Sequence, residues 1–245
     1  RGDRGDAARG RRVPRHGDLS GPVRIGVVAD THVGETLPDL PAAVPAAFAG
    51  CDLILHAGDI TCMSVLDRLG QIAPVVAVQG DHDRLAGIEL PRERVVVVRG
   101  RRIGLVHGRR SRAVEMPAAA LSLARRRAVL LGLHRHMRRR LGPVDMIVHG
   151  HLHMPVDTAV RGTHVFSPGA VYIPEERDVS ERTGLKGRAY LRFRRGLTPD
   201  DRASAVGLIE VGPEGIRARR VLLRDVRPGH YGFSTDDPDA GGLPR

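Results

Sequence analysis

Short apolar runs, each closing on a polar or glycine-bearing loop, organise the middle of the chain. Val23–Ala29 ends at Asp30, Leu53–His56 runs into Ala57-Gly58-Asp59, and Val75–Val78 into Gln79-Gly80-Asp81. Val95–Val98, Arg99-Gly100-Arg101 and Ile103–Val106 read as a hairpin ending at His107. Met146–Val148 leads to His149-Gly150-His151, and His164–Phe166 to Ser167-Pro168-Gly169. Continuous apolar strands of this kind suit a sheet covered on both faces. A second hairpin is expected from Gly207–Val211 and Ile216–Leu223 around Gly212-Pro213-Glu214-Gly215, adding strands to a sheet edge.

Helices fall between these runs. Ala42–Ala49 is a weak one, interrupted by Pro45, and Met63–Leu69 is better, with Thr61 as its expected N-cap. Alternating strands and helices argue for an α/β layered fold. Over Ala118–Leu141, apolar residues such as Leu130, Leu133, Met137 and Leu141 recur at helical spacing, with Arg125–Arg127, Arg135 and Arg138–Arg140 between them. This pattern predicts one long amphipathic helix, or two, with a basic face. That face is either solvated surface or a lid directed at a polyanion.

Composition refines the picture. The chain has 245 residues and ordinary apolar content, enough for one sizeable core. Residues 1–21 and 227–245 are rich in Gly, Arg, Pro or Asp without periodicity and are expected to be a disordered leader and a flexible tail, leaving a domain over 22–226. No apolar run approaches the roughly 20 residues of a membrane helix, and no signal-peptide core is visible, so a cytoplasmic protein without a membrane partner is expected. Cys51 and Cys62 are too few for a disulfide framework or a zinc knuckle. The net charge of +11 comes almost entirely from arginine and admits nucleic acid as a partner, although three Tyr, four Phe and no Trp disfavour base stacking.

The chemistry lies at the strand ends. Asp30 and His32 form Asp-x-His, Asp59 follows Gly58, Asp81, His82 and Asp83 follow Gly80, His107 precedes Gly108, and His151 and His153 form Gly-His-x-His. In open α/β sheets ligands gather beyond the carboxyl ends of the strands, so these residues can converge. Carboxylates and neutral imidazoles suit Mn, Fe, Zn or Co, and the missing thiolates argue against a structural zinc site. Two metals sharing one carboxylate can stabilise attacking and leaving oxygens together. The glycines at 58, 80, 108 and 150 permit tight turns and close approach.

In this order the motifs resemble the calcineurin-like metallophosphoesterase superfamily. The small size and Ser167–Ala170, where Asn-Pro-Gly-Ser is usual, resemble its compact bacterial and archaeal phosphodiesterases. The resemblance spans roughly Val23 to Tyr172 and implies a four-layer α/β/β/α sandwich. Here it would carry an inserted Arg-rich helical segment at about residues 110–142. It implies two divalent metal ions, manganese first, with Fe, Zn, Ni or Co as alternatives. One metal would be held by Asp30, His32, Asp59 and His153. The other would be held by Asp59 as bridge, Asp81, His107 and His151. It further implies hydrolysis of a phosphate ester, most simply a diester, by in-line attack of a metal-bridging hydroxide. His82 would act at the leaving oxygen, and Asp83 would orient His82 or its loop. Asp81 departs from the family's usual Asn, a change also found in a retromer scaffold subunit of this fold with little or no catalysis. A weakly catalytic interaction scaffold and a nuclease using the arginine helix therefore stand as alternatives. Of the other histidines, His56 and His149 are expected in the core or behind the site, His134 and His136 on the surface, and His164 is undecided. Oligomeric state is left open.

Overall fold

The computed structural model describes residues 21–125, 129–173 and 191–227. The expected leader apart from Gly21, the tail beyond Arg227, and Arg126 and Arg127 of the arginine stretch lie outside the described residues.

Two five-stranded sheets form the centre. In the first, β1 (Val23–Val28) and β2 (Leu53–His56) pair in parallel, as do β2 and β3 (Val75–Ala77). The expected C-terminal hairpin, β9 (Ala205–Gly212) and β10 (Gly215–Leu222), extends the sheet on the other side of β1, giving the order β10-β9-β1-β2-β3. In the second sheet the hairpin β4 (Glu93–Val98) and β5 (Arg101–Val106) leads to β6 (Met146–His149). It continues through β8 (Thr163–Pro168) to β7 (Pro155–Val160), in the order β4-β5-β6-β8-β7.

Alternation along each strand sends neighbouring side chains into different layers. Ile25 and Val27 of β1 and Leu53 and Leu55 of β2 meet Ile103, Leu105, Met146, Val148 and Phe166 between the sheets. Val28 and Ile54 face outward instead, onto Val44 and Ala47 of α1 (Ala43–Ala47) and Val65 and Leu69 of α2 (Ser64–Gly70). On the far side, Val106, Ile147 and Val165 pack against Leu133, Met137 and Leu141 of α5 (Leu133–Leu141). The result is the helix, sheet, sheet, helix sandwich.

The arginine stretch forms two helices, α4 (Arg112–Arg125) and α5, with Gly132 at φ 72° just before the second. The first begins six residues before the expected start. α5 is part of the packed domain: a Cβ on Gly104 of β5 would lie 2.7 Å from Leu141 Cδ1, so the helix side chain packs directly against the strand backbone there. Two local expectations are corrected. Thr61 does not cap α2, which begins after Met63. Thr61 has φ 61° and its hydroxyl donates to the Val33 carbonyl at 2.7 Å, so it belongs to the loop after β2. Asp81 does not lie in an open loop but starts a short helix, α3 (Asp81–Leu85). Among the described residues no helix is long and apolar enough to cross a membrane. Cys51 and Cys62 are both free.

Candidate metal centre

The strand-end loops are tied to one another by backbone bonds. Asp30 N donates to Gly58 O at 3.0 Å, His32 N to Asp59 O at 3.1 Å and Gly150 N to His107 O at 3.1 Å. Tyr172 N donates to Asp30 O at 3.0 Å, joining the chain beyond β8 to the end of β1. Asp30, His32, Asp59, His151 and His153 all have φ between 47° and 72°, which is uncommon for residues other than glycine. Backbone strain of this kind concentrates where side chains must be aimed at a site. Gly80 serves the same convergence, since a Cβ there would collide with the carboxylate and amide of Asp59.

Asp30 and Asp59 are buried at the centre. Burial pushes the Asp30 carboxyl up to about 7, with the neighbouring Asp59 adding to the rise against His107 and His151. Asp59 is held well below the usual carboxylate range, because His107, the His82 amide and His32 outweigh its own burial. Burial lowers His107 too, but Asp59 and Asp30 hold it up at about 9.

The histidines are oriented from behind. His107 Nδ1 donates to the Ala57 carbonyl at 2.8 Å, and His32 Nδ1 donates to Glu35 Oε2 at 3.1 Å. An oxygen acceptor at Nδ1 fixes the tautomer and leaves the Nε2 lone pair free in the neutral ring. Both Nε2 atoms are buried, make no hydrogen bond, and lie 3.3 Å (His107) and 3.7 Å (His32) from Asp59 Oδ2. Imidazole nitrogens buried against a carboxylate call for positive charge between them, which a proton on His107 supplies in the absence of metal and a divalent cation would supply in its place.

Donor atoms of Asp30, His32 and His153 lie within 4.8 Å of one another, as do those of Asp81, His107 and His151, and those of Asp30, Asp59 and His107. His153 Nε2 stands 3.6 Å from Asp30 Oδ1, and His151 Nδ1 3.6 Å from Asp81 Oδ2. All seven carboxylates and imidazoles expected as ligands are thus brought together, with Asp59 between the two groups. The donor set fits divalent cations.

His82 stands beside them, its ring centroid 4.7 Å from that of His32. Its Nδ1 donates to the Glu35 carboxylate at 2.8 Å. Its ring also comes close enough to His32 and Asp59 to complete a fourth donor group. Among the described residues, Asp83 makes no hydrogen bond to the His82 ring. It is fully buried and accepts the amides of Asp59, Gly80, Ile60 and Thr61 at 2.7–2.9 Å, so it orients the loops.

Three residues of the site had no signal in the sequence. Glu35 follows His32 by one turn. Glu115 of α4 accepts from His151 Nε2 at 3.0 Å and from the Arg110 amide at 2.7 Å. Arg109 donates to Asp81 Oδ1 at 2.7 Å, so the charge that Asp81 adds relative to Asn is met within the protein. Only Arg109's place two residues after His107 could have marked it.

The remaining histidines lie outside the cluster. His56 is buried and pairs with Thr31 Oγ1 at 3.3 Å, and burial pushes it down to about 3. His149 is buried and pushed down to about 4. His134 and His136 are half-buried on α5. His164 is paired with Asp157 at 2.6 Å, away from the site.

Comparison with known proteins agrees with this geometry. Residues 23–184 match the model of the calcineurin-like phosphoesterase superfamily domain. A probable metallophosphoesterase of Methanothermobacter thermautotrophicus is 35% identical over 156 residues, covering 64% of this chain and 81% of the relative. One from Methanocaldococcus jannaschii is 35% identical over 156 residues, covering 64% of this chain and 72% of the relative. Among solved structures, Vacuolar Protein Sorting 29 from Cryptosporidium parvum shares the fold. Its TM-score is 0.59 at 20% identity, over 84% of this chain and 94% of that one.

Proposed function

Because this chain belongs to the calcineurin-like phosphoesterase superfamily, we propose that it is a hydrolase of phosphate esters, a diesterase in the first instance, that works with two divalent cations. The observation that carries this reading is the convergence of buried carboxylate and imidazole donors around Asp59, with His32 Nε2 and His107 Nε2 buried at 3.7 and 3.3 Å from its Oδ2.

In this reading Asp30, His32, Asp59 and His153 hold one cation, and Asp59, Asp81, His107 and His151 the other. Manganese is the first candidate. Such cations supply Lewis acidity toward phosphoryl oxygens and acidify water to a nucleophile near neutral pH. The protein's own groups position and complete the site. The carbonyl of Ala57 and the carboxylate of Glu35 keep His107 and His32 with Nε2 toward the cations. Asp83 holds the loops carrying Asp59 and Asp81 in one arrangement through four amides. His82 turns Nδ1 to Glu35, so Nε2 is the atom left for an oxygen of the substrate, and it acts there at the leaving group. Arg109, half exposed beside Asp81, offsets the repulsion that a second carboxylate would exert on a phosphate. This supports the catalytic reading over a non-catalytic scaffold.

The test is hydrolysis of bis(p-nitrophenyl) phosphate by purified protein with added manganese. Turnover is expected, with loss to background in Asp59→Asn and His151→Ala. Full activity in both variants, or none in the wild type under any divalent metal, contradicts the proposal.

A further inference from the structure

A pocket of about 780 Å³ opens beside the Asp81, His107 and His151 end of the cluster. That is the size of a small-molecule site, and far more than one phosphate group fills. Its lining carries five arginines against two carboxylates, Asp81 and Glu115. Both carboxylates are already engaged, Asp81 by Arg109 and Glu115 by His151 and the Arg110 amide. Arg110 is committed to the carbonyls of Leu130 and Leu131, and Arg140 of α5 is shared with Glu93. Arg84 and Arg92 differ. Both are exposed, and neither forms a hydrogen bond or ion pair among the described residues. They come from different elements, Arg84 from α3 one turn after Asp81 and Arg92 from the approach to β4. They meet at the pocket only through the fold. Leu85, 80% exposed in the same lining, presents an apolar surface beside them.

We propose that this pocket is a subsite for a second phosphate of the substrate, held by Arg84 and Arg92. The preferred substrates are then compact phosphate esters bearing at least one further phosphate and an apolar or heterocyclic group that rests on Leu85. Guanidinium groups bind phosphate through charge-assisted, often bidentate hydrogen bonds, and those not already paired are the ones that can do so. The volume is that of a small-molecule site. The outer arginines of α5, Arg135, Arg138 and Arg139, do not line the pocket. Which ester bond is cut rests on the phosphoesterase reading above. Binding of the second phosphate does not.

The experiment is calorimetric titration of the full chain at low salt with adenosine 5′-monophosphate, adenosine 3′,5′-bisphosphate and the oligonucleotide dT10. The bisphosphate is expected to bind about tenfold tighter than the monophosphate or more, as one added charge-assisted contact gives. In the Arg84→Gln/Arg92→Gln double variant this ratio should fall close to one, with manganese content and melting temperature unchanged. A ratio near one in the wild type, or a ratio that survives in the variant, overturns the proposal. So does dT10 binding tighter than the bisphosphate and lost on neutralising Arg135, Arg138 and Arg139 instead, which assigns the charge to nucleic acid. Absent hydrolysis with the ratio intact counts against the phosphoesterase reading alone.

Discussion

At the scale of single residues, Glu35 joins two functions. One carboxylate accepts from His32 Nδ1 and His82 Nδ1, so it orients a metal ligand and the group assigned to the leaving oxygen together. Burial raises its pKa, yet the two imidazoles hold it below its ordinary value and keep it ionised. Residues behind metal ligands are commonly worth 10–100-fold in activity or metal affinity. Glu35→Ala should therefore lower kcat by about 10–100-fold with a smaller change in KM, and weaken manganese binding through His32. Steady-state kinetics with a manganese titration reads both, and an unchanged kcat would show that Glu35 does not position His82. Asp83 illustrates a different division of labour. The sequence pattern leaves open whether it serves His82 or the loop, and its four amide bonds answer for the loop.

At the scale of elements, the strands were the legible part. Each apolar run with a polar terminus became a strand, because a strand buried on both faces has few polar positions to blur the pattern; β4 is the exception, an edge strand with Val95 and Val97 exposed. β7 was missed, since it is a half-exposed edge strand beginning with proline and carrying Asp157 and Thr158. α3 was missed because five residues are too short to show a period. Just before α5, Gly132 takes a left-handed conformation that is not visible in an otherwise helical pattern. β2 also carries a consequence for pH. Burial pushes His56 down to about 3 from the ordinary imidazole value of 6.5. Above pH 6.5 the ring is neutral in folded and unfolded chains alike. Below it the unfolded chain takes up a proton that the folded chain refuses. Stability is thus lost as pH falls from 6.5 toward 3, by up to about 1.4 kcal/mol per pH unit from this group. Urea denaturation should show a steeper loss between pH 6 and 4 in the wild type than in His56→Gln, and equal slopes would contradict the assignment.

At the scale of the whole molecule, the site exists only because two sheets meet. Asp30, His32, Asp59 and Asp81 come from the ends of the first, His107, His151 and His153 from the ends of the second. The ligand residues could be read from the chain because chemistry restricts their types and strand ends restrict their places. Glu35, Arg109 and Glu115 could not, because their roles depend on which loops the fold brings side by side. The arginine stretch divides in the same way. Its apolar spacing foretold the α5 core face, while only the packing shows Arg140 reaching the pocket and α4 sending Glu115 to His151. The central claim is that the two halves close on a pair of cations bridged by Asp59. The most direct measurement is the metal-to-chain ratio by elemental analysis after manganese loading and desalting. About two ions per chain are expected for the wild type, and clearly fewer for Asp59→Asn. A wild-type chain that retains no metal, or a ratio indifferent to Asp59→Asn, would contradict it.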